Sequence, residues 1–257
     1  MGSSLSVTEL LAPLRADPPG AAIFSDFDGT LAPIVDDPAE ARPLPGVVDA
    51  LAALAGRYGV VGVVSGRPAA FLHRHLGGRG LILSGLYGLE RATGDGGIDV
   101  VPEAAPWEPV VEEAASAAAA ELPAGIGVER KGLAVVLHVR TDPSRAEAAE
   151  RWARARAAGT GLAVHPGRMS FELRPPVELD KGTVVAGAAA GRNVCFLGDD
   201  TGDLSAFDAL DRAAAAGVHA VRVAVRSAEA PDELLERADL VVDGPEGTLE
   251  VLRALLG

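Results

Sequence analysis

The sequence predicts an α/β protein in which an α+β domain is inserted into a parallel-sheet core. Short apolar runs alternate with helical segments over residues 21–84, a pattern typical of parallel strands joined by crossover helices. Over 104–175 the segments instead form strand pairs flanked by helices, and the first pattern then returns. We therefore expect a core formed by residues 1–103 and 176–257 and a cap formed by residues 104–175.

Local signals define the elements of the first core segment. Ser6 and Glu9 have the spacing of a capping box, and Pro45 is a residue type favoured in the first turn of a helix. The apolar runs AAIF and VVGVV are short, as expected of buried strands. In order, we expect helix 6–15, strand 21–25, helix 45–57, strand 60–64, helix 68–76 and strand 81–84.

Turn and cap residues divide the rest of the chain. Glycines at 94–97 predict a hairpin turn, and Asp142 before Pro143 predicts a capped helix start. In the insert we expect helix 108–121, strands 126–130 and 133–140, helix 143–158, and strands 162–165 and 168–174. After it we expect helix 180–190, strand 193–198, helix 204–215, strands 220–225 and 239–242, and helix 245–256.

The amino-acid composition indicates a globular protein and argues against some classes of binding partner. The 257 residues are 48% hydrophobic and 23% charged, which suits a globular protein with a core. A net charge of −13 argues against nucleic acid as a partner. Residues 1–20 lack a signal peptide pattern, no apolar stretch has bilayer length, and the single Cys195 excludes an intramolecular disulfide. We expect a cytoplasmic monomer that binds neither membrane nor nucleic acid, with Cys195 buried in a strand.

The segment Asp26-Phe27-Asp28-Gly29-Thr30 directly follows the first predicted strand. In an extended segment residues i and i+2 point to the same side, so Asp26 and Asp28 project together. Two paired carboxylates at a strand end are costly unless a cation, a proton or a reaction needs them. The alternative is an ordinary surface turn, since Asp and Gly are common turn residues.

Further polar segments follow other predicted core strands or begin the helices beside them. They are Ser65-Gly66-Arg67, Lys181, and Gly198-Asp199-Asp200 with Asp203. Taken singly, these segments are explained by a turn, a solvated lysine and a helix cap. Taken together they supply a nucleophile, an acid–base group, a hydroxyl, a cation and metal-binding carboxylates, which phosphoryl transfer requires.

These motifs resemble the haloacid dehalogenase superfamily of phosphotransferases, whose four motifs match DFDGT, the Ser65 segment, Lys181 and GDD. Within it the chain is similar to the trehalose-6-phosphate phosphatase family. The matching stretches are DFDGTLAPIVDDP, SGRP, GLYGLE, ERKGLAVVLHVR, FELRPPVELDKG and FLGDDTGDLSAF. The resemblance implies a Rossmann-like core with a C2-type cap, and a phosphatase of trehalose biosynthesis that releases trehalose and phosphate.

The resemblance also implies roles for the core motifs. Asp26 would attack phosphorus to form an aspartyl-phosphate, and Asp28 would protonate the leaving sugar oxygen and then activate water. Ser65, Gly66 and Lys181 would bind the phosphoryl oxygens.

The same resemblance implies one Mg²⁺ as cofactor. Its protein ligands would be the Asp26 carboxylate, the Asp28 backbone carbonyl and Asp199. Asp200 and Asp203 would orient these ligands or the waters around them.

Candidate sugar contacts lie mainly in the insert. Over 168–174 apolar and polar residues alternate, and this pattern alone indicates a half-buried strand with solvated charges. The resemblance implies instead that the sugar is contacted by Lys131, Glu172 and Arg174, with Arg67 from the core. Secondary candidates are Glu129, His138 and Arg140. We interpret the other histidines, which show no metal-ligand grouping, as structural: His73, His75, His165 and His219.

The chain departs from the family pattern in two stretches. GDDxTDEDAF becomes GDDTGDLSAF, which changes residues 202, 204 and 205, and Tyr87 replaces a common histidine. We interpret Tyr87 as a packing residue beneath the cap. Three alternatives stay open: a phosphatase for another substrate such as sucrose phosphate or mannosyl phosphoglycerate, a phosphomutase, and a non-catalytic sensor. Retention of Asp26, Asp28, Lys181 and Asp199 argues against the sensor.

Overall fold

Apolar runs and helical segments alternate along the chain in the structure as they do in the sequence. A computed structural model describes residues 6–35, 37–78, 80–167, 169–227 and 230–257. The helices are α1 (Val7–Ala16), α2 (Val47–Ala55), α3 (Ala69–Leu76), α4 (Glu108–Glu121), α5 (Ala146–Thr160), α6 (Lys181–Ala189), α7 (Leu204–Ala215), α8 (Asp232–Arg237) and α9 (Gly244–Leu256). The strands are β1 (Ala21–Ser25), β2 (Val60–Val64), β3 (Ile82–Gly85), β4 (Glu90–Ala92), β5 (Ile98–Val100), β6 (Gly127–Arg130), β7 (Val135–His138), β8 (Ala163–Gly167), β9 (Ser170–Arg174), β10 (Asn193–Gly198), β11 (Ala220–Arg226) and β12 (Leu240–Asp243).

The chain divides into two compact units. The segments that end at Asp99 and begin at Leu179 form one, here called the core unit. Val100–Glu178 form the other, the cap unit. None of the helices within the described residues combines the length and hydropathy that crossing a bilayer needs.

The core unit is built on a sheet with strand order β12-β11-β10-β1-β2-β3-β4-β5. The strands from β12 to β3 pair in parallel, and β4 pairs antiparallel with β3. β1 lies between β10 and β2, and all five of its residues are buried. Because the carboxyl ends of parallel strands meet at one edge, the residues after β1, β2, β10 and β11 share that edge.

Helices cover both faces of this sheet, and the alternation within β1 shows how. Ala21 and Ile23 belong to the apolar cluster under α1, α2, α3 and α9. Ala22 and Phe24 belong to the cluster under α6, α7 and α8. Side chains of a strand alternate between faces, so a strand buried on both sides must be apolar throughout.

The cap unit contains an antiparallel sheet with strand order β6-β7-β9-β8. One face packs on α4 and α5 through a cluster that includes Val135, Leu137 and Leu173. Met169 and Phe171 pack against the same cluster, which confirms the apolar face expected for strand 168–174. Arg168 lies outside the described residues.

The predicted fold class is confirmed. The helix α8 (Asp232–Arg237) was not predicted, and some predicted helix starts differ from the observed ones. α2 begins at Val47, two residues after Pro45, because Gly46 caps it with φ 95°. Asp142 stands at the N-cap position of a 3₁₀ turn (Pro143–Arg145) that leads directly into α5, but α5 itself begins at Ala146. The Asp142 side chain accepts bonds from the side chains of Ser144 and Arg145.

Candidate active site

The two aspartates after β1 begin the site. The Asp26 backbone N–H donates to Leu197 O at 2.9 Å, so this residue still continues the pairing of β1 with β10. Gly29 then turns the chain with φ +73°, and a Cβ at this position would collide with Asp199 Oδ2. Glycine is therefore required here both for its conformation and for the close approach of a carboxylate.

Lys181, the first residue of α6, connects three of the carboxylates. Its Nζ lies 2.7 Å from Asp203 Oδ1, 3.0 Å from Asp26 Oδ1 and 3.7 Å from Asp200 Oδ1. The lysine is 1% exposed, so the alternative of a solvated surface lysine is wrong. A buried ammonium needs such partners because desolvation is expensive.

Asp199, at the end of β10, is held by two hydroxyls. Thr30 Oγ1 donates to Asp199 Oδ1 at 3.1 Å, and Ser227 Oγ donates to Asp199 Oδ2 at 2.9 Å. Ser227 follows β11 and was missed by the sequence reasoning. Asp203 Oδ2 accepts backbone N–H groups of Asp199 and Asp200 at 2.8 and 3.0 Å, which fixes the turn after β10.

Burial changes the proton affinity of this cluster. Desolvation, reinforced by neighbouring carboxylates and opposed by Lys181, raises the pKa of Asp26 to about 7. Desolvation and the charges of Asp203 and Asp200 likewise raise the pKa of Asp199 to about 7. Burial alone would lower the pKa of Lys181, but Asp203, Asp26 and Asp200 raise it well above its ordinary value. The site therefore holds more negative charge than one ammonium can neutralise.

These residues fit a bound divalent cation. Asp26, Asp199 and Asp203 each offer a carboxylate oxygen, and the three oxygens lie within 4.8 Å of one another. Oxygen donors of this kind are the ligands that Mg²⁺ takes. Both oxygens of Asp203 already bind Lys181 or backbone N–H groups, which suits a residue that orients its neighbours.

Arg67 joins the loop after β2 to Asp28. Its Nε donates to Asp28 Oδ2 at 2.7 Å and its Nη2 to Asp28 Oδ1 at 2.6 Å. The Arg67 backbone N–H donates to Ser65 Oγ at 3.2 Å, and the Ser65 N–H donates to Ser84 O at 3.0 Å. The core candidates thus form two bonded groups, one around Lys181 and one around Arg67, that follow strands ending at the same edge of the sheet.

The cap-unit candidates lie on the sheet of that unit. β6, β7, β9 and β8 align Glu129, Val136, Glu172 and His165 in one row. Glu129 Oε2 lies 2.7 Å from His138 Nε2 and 3.7 Å from Lys131 Nζ.

Glu172 and Arg174 on β9 are buried charged residues. Glu172 Oε1 has no hydrogen-bond partner among the described residues. Burial raises the pKa of Glu172, against the lowering effect of Lys131 and Arg174. A buried carboxylate oxygen without a partner is one that a ligand hydroxyl could satisfy.

The histidines interpreted as structural have local partners or packing contacts. His219 Nε2 lies 2.9 Å from Leu10 O, and the His75 ring packs at 4.5 Å on Phe71. Burial and Arg174 lower the pKa of His165 to about 4. Cys195 is fully buried in β10, as predicted, and burial raises the pKa of its thiol.

Comparisons with known proteins agree with this arrangement. A family model described as trehalose-phosphatase matches residues 24–238. Trehalose-phosphate phosphatase of Mycolicibacterium paratuberculosis is 40% identical over 202 residues, covering 74% of this chain and 51% of that protein. The Mycobacterium marinum protein of the same name is 38% identical over 226 residues, covering 83% and 56%. The chain thus spans about half the length of these relatives.

Solved structures share the fold. The C-terminal domain of C. albicans trehalose-6-phosphate phosphatase matches with a TM-score of 0.76 at 24% identity, covering 99% of this chain and 98% of that one. A haloacid dehalogenase-like hydrolase from Bacteroides thetaiotaomicron matches with a TM-score of 0.61 at 15% identity, covering 91% and 98%. At these identities the likeness shows the fold alone.

The parallel sheet, the inserted cap unit and the carboxylates at the strand ends define a protein of the haloacid dehalogenase-like fold. The family model extends over most of the described chain, and the mycobacterial relatives share more than a third of their aligned residues with it. The chain belongs to the trehalose-phosphatase family.

Proposed function

We propose that this chain is a Mg²⁺-dependent phosphatase that hydrolyses trehalose 6-phosphate to trehalose and phosphate. The observation that carries the proposal is the buried Asp26 carboxylate, 3.0 Å from Lys181 Nζ, with Asp28 two residues further on the same strand end. We assign Asp26 as the nucleophile, Lys181 as the phosphate-binding cation and Asp28 as the acid–base group, and their shared position at one edge of the sheet supports this assignment. The family membership supports the choice of substrate.

In the first step Asp26 attacks phosphorus, a bond forms between its carboxylate oxygen and phosphorus, and the bond from phosphorus to the sugar oxygen breaks. Asp28 gives its proton to that leaving oxygen. In the second step water attacks the aspartyl-phosphate, Asp28 takes the proton from water, and the Asp26 carboxylate is released with phosphate. Ser65, the Gly66 backbone and Lys181 bind phosphoryl oxygens, and Lys181 also pairs with the Asp26 carboxylate.

Asp26, the Asp28 backbone carbonyl and Asp199 are the proposed ligands of Mg²⁺, and Asp200 and Asp203 orient them. When bound, the cation offsets the carboxylate charge and neutralises the charge that develops on the phosphoryl oxygens. A nucleophilic carboxylate must be ionised, but burial raises the pKa of Asp26 to about 7 and so favours its protonated form. A bound cation would favour the ionised form, which supports this role for Mg²⁺.

The cap unit is the proposed source of sugar selectivity. Lys131 and Arg174 are donors and Glu172 is an acceptor, which suits a polyhydroxylated disaccharide. The burial of Glu172 and its unpartnered oxygen within the described chain support its assignment to this group.

The test is phosphate release from trehalose 6-phosphate with Mg²⁺ in H₂¹⁸O. We expect turnover with ¹⁸O in the released phosphate, its loss in EDTA, and its loss in Asp26→Asn. Residual turnover in Asp26→Asn near the wild-type rate would show that another residue is the nucleophile. Transfer of the phosphoryl group to a second sugar position, without label from water, would identify a phosphomutase.

A further inference from the structure

The turn that joins β3 to β4 has an unusual backbone. Leu86 and Tyr87 are consecutive non-glycine residues with positive φ, 48° and 58°, and Gly88 follows with φ 109°. Side chains rarely adopt this region, and residues held in it cluster at sites where function requires the conformation. The question is therefore what this turn positions.

Backbone bonds attach the turn to the loop after β2. The Leu86 N–H donates to Arg67 O at 3.0 Å, and the Tyr87 N–H donates to Ser65 O at 3.0 Å. The turn therefore holds a fixed position against the Ser65-Gly66-Arg67 loop. Its conformation orients the Tyr87 side chain across that loop.

The phenol lies over Gly66. A Cβ built on Gly66 would be 2.6 Å from Tyr87 Oη and 2.7 Å from Cζ, so only glycine leaves space for the hydroxyl. On the other side, a Cβ built on Gly202 would be 3.7 Å from Tyr87 Cε1. The ring thus lies between the loop after β2 and the turn after β10.

We infer that the Tyr87 hydroxyl donates a hydrogen bond to a non-bridging phosphoryl oxygen of the substrate. The inference rests on the proposed function and adds a residue to it. Phosphoryl transfer spreads negative charge over three peripheral oxygens, each of which gains from a positioned donor. The Lys181 ammonium already contacts the carboxylates of Asp26 and Asp203. A phenol hydroxyl would give the phosphoryl group another hydrogen-bond donor without another charge.

Gly202 belongs to the same arrangement. A Cβ built on Gly202 would meet Asp200 Oδ1 at 3.1 Å and Tyr87 Cε1 at 3.7 Å. Tyr87 and Asp200 therefore both lie close to this turn within the core unit.

The experiment compares Tyr87→Phe, which removes only the hydroxyl, with Tyr58→Phe. Tyr58 is a matched control, because its hydroxyl donates to Leu255 O at the opposite end of β2. The full chain with saturating Mg²⁺ is assayed on trehalose 6-phosphate and on p-nitrophenyl phosphate. Binding of orthovanadate is measured by calorimetry, and circular dichroism verifies folding.

We expect Tyr87→Phe to lower kcat/KM about tenfold or more on both substrates, and to weaken orthovanadate binding by a similar factor. Tyr58→Phe should change neither value. A kcat/KM and an orthovanadate affinity of Tyr87→Phe within twofold of wild type would overturn the inference, as would a loss of activity confined to trehalose 6-phosphate.

If wild type hydrolyses neither substrate, the proposed function fails, and orthovanadate binding still decides the role of the hydroxyl. Absence of both turnover and orthovanadate binding in wild type overturns both.

Discussion

Arg67 and Asp28 form a two-point ion pair, with Nη2 2.6 Å from Oδ1 and Nε 2.7 Å from Oδ2. The guanidinium also donates to Pro38 O at 2.7 Å and lies 4.7 Å from the Phe71 ring centroid. The guanidinium is planar and is itself held by these contacts, so its two parallel hydrogen bonds fix the plane of the Asp28 carboxylate. Arg67 thus pairs with Asp28 in this structure, and a contact between Arg67 and the sugar stays a prediction.

Arg67→Lys should lower kcat about tenfold on trehalose 6-phosphate and on p-nitrophenyl phosphate, with little change in KM. A lysine keeps the charge but loses the two-point geometry that holds ionised Asp28, so Asp28 is no longer oriented for the step in which it takes a proton from water. Steady-state kinetics on both substrates measure the effect. Arg42→Lys is the control, since among the described residues the Arg42 side chain donates to the nearby carbonyls of Ala39 and Ala41. A rise in KM for trehalose 6-phosphate alone would return Arg67 to sugar binding.

Removal of Mg²⁺ should destabilise the core unit more at high pH than at low pH. The pKa values of Asp26 and Asp199 are raised to about 7 in the folded chain without cation, so folding takes up protons between about pH 4 and 7. The metal-free protein therefore loses stability from these groups as pH rises through that window, and a cation offsets the loss.

Thermal unfolding in Mg²⁺ and in EDTA, at pH 5 and pH 8, measures this dependence. The stabilisation by Mg²⁺ should be larger at pH 8 by at least about 3 °C, roughly 1 kcal/mol for a unit of this size. Asp199→Asn should remove most of the difference. An effect of Mg²⁺ that is equal at both pH values would contradict the account.

Ser227→Ala should weaken metal binding about tenfold while kcat at saturating Mg²⁺ stays close to wild type. Ser227 donates to Asp199 Oδ2 at 2.9 Å, and groups that orient a metal ligand commonly contribute this much. Titration with Mn²⁺, followed by electron paramagnetic resonance, gives the affinity directly. Ser227→Thr keeps the hydroxyl and should retain the affinity; equal weakening by Ala and Thr would argue for a packing role.

Lys131→Ala should raise KM for trehalose 6-phosphate at least tenfold and leave p-nitrophenyl phosphate nearly unaffected. The neighbouring Arg130 provides a matched control, because it is exposed and pairs with Glu112 on the surface of the cap unit. Arg130→Ala should change neither substrate by more than twofold. Loss on both substrates in Lys131→Ala would point to a structural role instead.

Much of the core site could be predicted because its residues follow strands. Asp26 and Asp199 each follow an apolar run, and parallel strands bring such positions to one edge. Lys181 is the first helical residue after the Asp180 cap, another local signal. These positions depend on chain direction and pattern, which a sequence displays directly.

The remaining features depend on contacts between distant segments. Ser227 also follows a buried strand, but a serine in that position is ordinary until Asp199 is seen beside it. Tyr87 was interpreted as a packing residue, since no pattern in GLYGLE indicates a left-handed turn bonded to residues 65 and 67. The pairing of Arg67 with Asp28 joins loops 39 residues apart, and spacing alone does not distinguish it from a free donor.

The most direct test of the central claim is phosphate release with Mg²⁺ across trehalose 6-phosphate and the phosphates of sucrose, glucose and mannose. The account predicts a kcat/KM for trehalose 6-phosphate at least a hundredfold above the others. Comparable turnover of all four, or a clear preference for another sugar phosphate, would contradict the assignment of substrate and leave only the phosphatase core.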